Sequence, residues 1–325
     1  MLKRIAIAGA LGQPFGTFAA LSQSDDGVTW DPPLLPLENG ISVGLISSGD
    51  DQVVIGTSIG TILVTADMVS FTEALISDGV NIVGLGYSGT RWVASANRFN
   101  AANYGPYPRG SETSQVYLAS DPLGPWNMVW TNPSHDARVY QMKRFEQAPI
   151  SPGVSLPAWV MVGSAENHAE VWYSINDGFT WTQAAVPQGI QRIMSVGLAE
   201  FDGTRWYWGC NGAMYRSEHL SDTEWSGISV SQGSNIVDII GTSGYILAAG
   251  QDRAYYSPNG LIMESISSEG YSFDRVAMIE NDGDLQKMVF ARGQLNQYTQ
   301  WTLGSDNRWV PSTSNIHVAG STLLV

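Results

Sequence analysis

The stretch GTRWVASAN at residues 89–97 recurs as GTRWYWGCN at residues 203–211. In both copies a turn glycine precedes a run of mostly apolar residues, which is typical of a buried β-strand. Weaker copies of the pattern begin at Gly49, Gly244 and Gly283. A pattern that returns in this way indicates one supersecondary unit repeated along the chain.

A second strand follows each of these strands and ends at a small residue before a polar turn. The clearest turns are SINDGFTW at residues 174–181 and QSDDGVTW at residues 23–30. The seven turns begin at Ser22, Thr65, Ala119, Ser174, Ser217, Ser257 and Thr302. Their spacing is 40 to 55 residues, and the strands between them are β-branched and aromatic without a helical period. These units predict an all-β fold, a seven-bladed β-propeller of four-stranded antiparallel blades.

The two ends of the chain predict how the ring closes. Each internal unit supplies an innermost strand before its turn glycine, whereas the N-terminal unit begins directly with strands at residues 3–10 and 16–22. The C-terminus has one strand to spare, at residues 315–325. We expect this strand to complete the first blade, so that residues 1–325 form a single domain without an exposed sheet edge at the seam.

The polar turns resemble the Asp box, or BNR repeat, with the pattern Ser-x-Asp-x-Gly-x-Thr-Trp. Residues 174–181 match it with Asn176 in place of the Asp, and residues 23–30 match it with Gln23 in place of the Ser. The resemblance implies the Asp-box propeller superfamily, which includes sialidases, sortilin-type receptors, a photosystem assembly factor and virion proteins. The short Gly-Thr-Arg-Trp style most resembles the non-catalytic structural propellers of phages. In this superfamily the box is a folding device.

Composition excludes several classes of partner. The 325-residue chain has 16 Lys and Arg against 30 Asp and Glu, a formal charge of −14, so we expect no nucleic-acid partner. No apolar stretch reaches the ~18 residues of a membrane span, so we expect no membrane insertion. Gln13 and Pro14 interrupt the short apolar start, which argues against a cleaved signal peptide. The single cysteine, Cys210, excludes an internal disulfide and a cysteine-based zinc site.

Three long connections are predicted on the face opposite the Asp-box turns, which the resemblance implies is the face that carries the active site in the enzymes. They run from residue 98 to 114, from 127 to 136 and from 164 to 168, in adjacent blades. Aromatic, Arg and His side chains of this kind dominate recognition surfaces. The alternative is that the loops are merely solvated insertions. The candidate partner-binding residues are Arg98, Tyr104, Tyr107, Arg109, Trp130, His135, Asp136, Glu166 and His168.

A second set is predicted at the mouth of the central channel. Arg138, Arg192 and Arg275 each stand at the start of an innermost strand, and three inward arginines resemble the carboxylate clamp of sialidases. Acidic neighbours, among them Asp136 and Asp238, would neutralise them, and no Tyr–Glu nucleophile pair accompanies them. We therefore expect no catalytic residues, no metal site and no cofactor, with a sialidase-like glycosidase as the alternative.

The resulting hypothesis is a non-catalytic binding or assembly module, located in a virion as a tail or fibre component. Its expected partners are other proteins of a larger assembly or a surface glycan. A cytoplasmic or secreted location and a role as an assembly chaperone are the alternatives. An arginine cluster at the channel mouth without acidic partners would favour the enzyme instead.

Overall fold

The computed structural model describes residues 5–13, 16–24, 34–37, 43–99, 112–134, 136–201, 203–230, 234–242, 244–266, 273, 275–281, 284–292, 297–303, 309–315 and 319–324. Their regular elements are β-strands, and no helix among them is long and apolar enough to cross a membrane. The strands are β1 (Ile5–Gln13), β2 (Gly16–Ser24), β3 (Leu34–Leu37), β4 (Val43–Gly49), β5 (Gln52–Thr57), β6 (Thr61–Thr65), β7 (Thr72–Leu75), β8 (Val80–Tyr87), β9 (Trp92–Phe99), β10 (Glu112–Ala119), β11 (Asn127–Thr131), β12 (Ala137–Ser151), β13 (Val154–Ala165), β14 (His168–Ser174), β15 (Thr182–Gln183), β16 (Ile193–Glu200), β17 (Thr204–Cys210), β18 (Met214–Ser217), β19 (Ser226–Ile228), β20 (Ile236–Gly241), β21 (Ile246–Gly250), β22 (Ala254–Ser257), β23 (Glu264–Ser265), β24 (Arg275–Asn281), β25 (Asp284–Arg292), β26 (Gln297–Leu303), β27 (Trp309–Asn315) and β28 (Ala319–Leu324).

Within the described ranges these strands form seven sheets of four antiparallel strands. Blade one has the order β28-β1-β2-β3, and blades two to seven are the consecutive quartets β4–β7, β8–β11, β12–β15, β16–β19, β20–β23 and β24–β27. The first strands of successive blades contact one another all the way round, from β28 to β4 and onward to β24, which contacts β28 again. The sheets therefore stand in a closed ring, and the prediction of an all-β propeller is confirmed.

The ring closes through the pairing of the two chain ends. Strand β28 pairs antiparallel with β1, from Ala6 opposite Leu324 to Ala10 opposite Ala319. The prediction that a C-terminal strand completes the first blade therefore holds, but its start was placed too early. Asn315 is the last residue of β27 and pairs with Gln297 in blade seven, so the closing strand begins at Ala319.

The core lies between neighbouring blades, which explains why the second strand of a blade is apolar on both faces. In β17, Trp206, Tyr207 and Trp208 are consecutive and fully buried, as expected where both faces of a strand are covered. Trp206 stacks on Trp208 at 5.5 Å between ring centroids, and Trp208 stacks on Trp225 at 4.7 Å. First strands such as β8 instead alternate buried and half-buried residues.

The third strands of five blades end at the positions where the sequence places the polar turns. These ends are Thr65, Ala119, Ser174, Ser217 and Ser257. We call the side of the ring that carries the turns after these strands the turn face. The repeat spacing therefore predicts these five strand ends correctly. In blades one and seven the third strands end at Ser24 and Leu303, just beyond the predicted Ser22 and Thr302.

In blade four the turn satisfies its own backbone with side chains. The Ser174 hydroxyl donates to Oδ1 of Asn176 at 2.9 Å and accepts the N–H of Gly178 at 2.9 Å. The same Asn176 oxygen accepts the N–H of Thr180 at 3.0 Å, and Nε1 of Trp181 donates to the Gly178 carbonyl at 2.9 Å. Gly178 has φ +84°, a left-handed conformation that favours glycine.

The turn of blade two uses a carboxylate where blade four uses an amide. Oδ1 of Asp67 accepts the N–H groups of Ser70 at 2.8 Å and Val69 at 2.9 Å. These two backbone hydrogen bonds lower the pKa of Asp67 to about 2. In these two turns the acceptor oxygen therefore lies two residues after the strand end, and either Asp or Asn provides it.

One turn is covered by the chain itself. Strands β12 and β13 form a hairpin longer than in the other blades, and its outer part lies over the turn after β18. The carbonyls of Pro149 and Ile150 each accept a backbone N–H at 3.1 Å, from Leu220 and Ser221. Leu220 is consequently 2% exposed, whereas Val69 is 70% exposed in the turn of blade two.

Removal of the closing strand tests the ring. A chain that lacks residues 319–325 leaves the hydrogen-bonding edge of β1 unpaired. Each lost backbone hydrogen bond contributes about 0.5–1.5 kcal/mol, so the total is comparable with the whole stability of a domain, about 5–15 kcal/mol. We expect the melting temperature in calorimetry to fall by more than 10 °C, roughly what several kcal/mol imply. A truncated chain that melts with the full-length protein would contradict the closure.

Candidate functional site

The predicted binding face is only partly within the described residues. Tyr104, Tyr107, Arg109 and His135 lie outside them. The other five candidates, Arg98, Trp130, Asp136, Glu166 and His168, belong to blades three and four or to the link between them.

Arg98 lies near the end of β9 and is tied to the preceding blade connection. One of its terminal nitrogens donates to the Ser77 hydroxyl at 3.0 Å and to the Asp78 carbonyl at 3.2 Å. Its Nε is buried and has no hydrogen-bond partner among the described residues. Arg98 thus holds a fixed position near the end of β9 through its contacts with Ser77 and Asp78.

Trp130 does not lie in a surface loop, contrary to the prediction from the sequence. It belongs to the outer strand β11 and packs edge-on against Trp172 at 5.1 Å between ring centroids. It also contacts Trp181 of the Asp-box-like turn at 6.1 Å. Because its ring lies between blades three and four, Trp130 contributes to the packing of these blades. The prediction that it is an exposed binding residue is therefore wrong.

The connection that carries Glu166 and His168 is also shorter than predicted. Glu166 and Asn167 have φ of 47° and 72°, and Ala165 pairs directly with His168. Strands β13 and β14 are therefore joined by a two-residue turn of the kind that favours positive φ at both positions. Glu166 and His168 remain exposed on it, but they form a tight hairpin rather than a long loop.

Arg138 at the channel mouth has an acidic and an aromatic partner. Its Nε lies 3.5 Å from a carboxylate oxygen of Glu112, and its guanidinium lies over the Tyr140 ring at 5.3 Å. Burial raises the pKa of Glu112; the charge of Arg138 opposes this rise and that of Asp136 adds to it. Asp136 also accepts the backbone N–H of Glu112 at 3.2 Å. Arg138 is therefore engaged by the protein.

A buried charge network occupies the centre of the ring. Oδ1 of Asp238 accepts from Nζ of Lys143 at 2.8 Å and from the side-chain amide of Gln141 at 2.8 Å. Lys143 also donates to the Ile239 carbonyl at 2.7 Å, and the Gln141 oxygen accepts the N–H of Val196 at 2.9 Å. The network therefore joins the innermost strands of blades four, five and six.

Blade seven joins the same network. The second oxygen of Asp238 accepts the N–H of Val276 at 3.2 Å. Burial by itself raises the pKa of Asp238, but the charges of Lys143 and Arg275, with the hydrogen bonds from Lys143 and Val276, outweigh it and hold that pKa below its usual value. Arg275 is thus close enough to act on a buried carboxylate, while Arg192 is exposed just before β16.

Sequence reasoning missed a buried glutamate beside the predicted face. Glu170 in β14 is 6% exposed, and its carboxylate accepts from the Asn132 amide at 2.7 Å, the Ser134 hydroxyl at 2.6 Å and Nε1 of Trp172 at 3.1 Å. These contacts fix the link between blades three and four. The burial pattern of β14 does not alternate, and two of the partners, Asn132 and Ser134, are more than 30 residues away in sequence, so the sequence carries no local signal for this contact.

A groove lies on the turn face between blades five and six. It has a volume of about 560 Å³ and is bordered by both apolar and charged side chains. Sequence reasoning assigned this face a structural role only. The side chains that define the groove are those of Glu200, Phe201, Arg205, Arg216, Pro258 and Leu261.

Titratable groups do not gather into a metal site in the described part of the chain. Among those residues, no group of three or more His, Cys, Asp or Glu side chains is placed to hold a metal ion. Cys210 is buried, and burial raises the pKa of its thiol to about 12. This thiol is therefore protonated at neutral pH and is a poor nucleophile.

Comparison with known proteins shows the fold and no family. No protein-family profile matches the sequence, and no curated protein matches it. A periplasmic gluconolactonase of Pseudomonas aeruginosa superposes with TM-score 0.63 at 10% identity, covering 99% of this chain and 98% of its own. Sqt1 from Chaetomium thermophilum gives TM-score 0.58 at 13% identity, with 95% and 84% covered. YCF48 bound to a D1 peptide gives TM-score 0.56 at 11% identity, with 83% and 80% covered.

These similar structures are all β-propellers. At such low identity they support the propeller fold alone. They do not show that the chain belongs to the Asp-box superfamily, so the resemblance of the turns remains a resemblance.

Replacement of Trp130 distinguishes packing from recognition. Trp130→Ala removes ring contacts with Trp172 and Trp181, and we expect unfolding to become easier by about 2–4 kcal/mol, as for a large-to-small change at a mostly buried site. His168→Ala, at the exposed hairpin, serves as the control and should change stability by less than about 0.5 kcal/mol. Urea denaturation measures both. Equal stability of the two variants would contradict the packing role of Trp130 and would favour its role as a binding residue.

Proposed function

We propose that the protein is a non-catalytic β-propeller that acts as a binding or assembly module of a virion. Its partner is another protein of the particle or a surface glycan, and it meets the face that the sequence predicts to carry Arg98, Tyr104, Tyr107, Arg109 and His168. The proposal keeps this face because its described members belong to adjacent blades, although Trp130 is no longer one of its anchors.

The observation that carries the proposal is the state of the channel-mouth arginines. Arg138 lies beside Glu112, and Arg275 acts on Asp238. A sialidase-like clamp needs guanidinium groups free to hold a substrate carboxylate. Acidic partners at two of the three positions therefore favour a binding module over a glycosidase.

The proposed location in a virion is based on features of the sequence. The degenerate polar turns, the Gly-Thr-Arg-Trp strands and the scarcity of lysine resemble phage structural propellers. An assembly chaperone is the second candidate function. The YCF48 structure with its D1 peptide illustrates that a propeller of similar architecture binds a peptide, which is compatible with either module.

The proposal is tested by activity and binding measured on one preparation. We expect no hydrolysis of a fluorogenic α-sialoside by the wild-type protein. A partner identified from native assemblies and then purified should bind Tyr104→Ala or Tyr107→Ala at least tenfold more weakly, a loss of about 1.4 kcal/mol. Val69→Ala, on the turn face, is the matched control and should bind normally.

Two results would contradict the proposal. One is sialoside hydrolysis that Arg138→Ala or Arg275→Ala abolishes in a folded protein, which would make the protein an enzyme. The other is partner binding that survives both tyrosine changes and is lost in Val69→Ala, which would move the partner to the turn face.

A further inference from the structure

The groove between blades five and six combines charge with apolar surface. Phe201, Pro258 and Leu261 form its apolar border, and Leu261 is 51% exposed. Arg205, Arg216 and Glu200 supply two positive charges against one negative charge. In a chain of net charge −14, a groove with this local excess of positive charge is complementary to an anionic group.

The two arginines project from the same side of blade five. Tyr207 lies opposite Arg216 in the pairing of β17 with β18, and Arg205 is two residues before Tyr207 on the same strand. Residues two apart on a strand share a face, so Arg205 is the diagonal neighbour of Arg216. Tyr207 itself is buried beneath them and donates to the Gly260 carbonyl of blade six at 3.4 Å.

Of the two arginines, Arg216 gives the stronger indication that the groove binds a ligand. Its side chain is half-buried, and among the described residues its guanidinium makes no hydrogen bond or ion pair, although its backbone pairs in β18. A partly desolvated guanidinium gains most from an acceptor that is itself charged, because charge-assisted hydrogen bonds are about twice as strong as neutral ones. A carboxylate is the side-chain group that matches its paired donors.

The preceding blade shows what kind of chain segment fits at this position. There the hairpin of β12 and β13 lies over the turn after β18, and the carbonyls of Pro149 and Ile150 accept N–H groups of that turn. The groove occupies the corresponding place one blade later, between the turn after β16 and the turn after β22. An extended strand-like segment is therefore the form that this part of the ring accommodates.

We propose that the groove binds an extended peptide segment of a partner protein in which an acidic residue neighbours a large apolar residue. The carboxylate pairs with Arg216 and Arg205, and the apolar side chain packs on Phe201 and Leu261. This surface is on the turn face, so it goes beyond the binding face proposed above and gives the module a second, separate contact.

The test uses two blocked synthetic pentapeptides, Asp-Leu-Asp-Leu-Asp and Asn-Leu-Asn-Leu-Asn, titrated by NMR against the full-length protein. We expect the acidic peptide to bind at least tenfold more tightly than the neutral one. Arg216→Gln and Leu261→Ser should each weaken the acidic peptide at least fivefold. Arg192→Gln removes the same charge at an exposed position on the other face and should leave the affinity unchanged.

Several outcomes would overturn the proposal. These are equal binding of the two peptides, an equal loss in Arg216→Gln and Arg192→Gln, or no saturable binding of the acidic peptide at ~5 mM, a level that corresponds to about 3 kcal/mol. Melting temperatures are recorded for every variant. If Arg216→Gln fails to fold, Leu261→Ser, which alters an exposed turn residue, decides the result. None of these measurements uses the virion partner proposed for the opposite face, so the test is independent of the proposed function.

Discussion

The buried carboxylate of Asp238 imposes the constraint on which the centre of the ring depends. A charge removed from water is tolerated only where a counter-charge and hydrogen-bond donors surround it. Here the donors come from β12, from the Ile239 N–H of β20 and from β24, and Gln141 extends the network to β16. Four of the seven innermost strands are therefore held at fixed distances by one side chain and its partners.

This arrangement supports the proposed function, because the charged groups at the channel contact one another. Charged groups that would hold a substrate are instead engaged with one another, as Arg138 is with Glu112 and Lys143 with Asp238. The two faces of the ring carry the surface that is left for recognition. One face has the connections of blades three and four, and the turn face has the groove of blades five and six. The proposed partner contact and the proposed peptide contact each use one of these faces.

The repeats predict much of the fold because they mark strand ends, which depend on local residues. Thr65, Ala119, Ser174, Ser217 and Ser257 are the ends of third strands. The turns of blades two and four show the local cause, because their own side chains bond their backbone N–H groups. The closing strand was also predictable from the count of strands. Its start was placed too early because Asn315 is equally compatible with the end of β27.

The candidate site was less predictable because it depends on contacts between distant segments. Trp130 follows a polar turn, and only its contacts with Trp172 and Trp181, some 40 to 50 residues later, show that it packs against the core. Lys143 and Asp238 are 95 residues apart, and each lies in a strand whose pairing is interrupted by β-bulges, so no regular period marks them as partners. From the sequence, Asp238 was predicted only to neutralise the arginines at the channel mouth.

A double-mutant cycle between Lys143 and Asp238 tests the central claim most directly. Unfolding free energies would be measured for Lys143→Met, for Asp238→Asn and for the double variant. The account predicts that Lys143→Met costs about 3–5 kcal/mol, because it leaves the buried Asp238 without its hydrogen-bonded counter-charge. Asp238→Asn should cost less, because the Lys143 side chain is 27% exposed, and the double change should cost less than the two together by at least ~2 kcal/mol. Single changes that each cost under about 1 kcal/mol and simply add would contradict it, because the channel charges would then be free for another role.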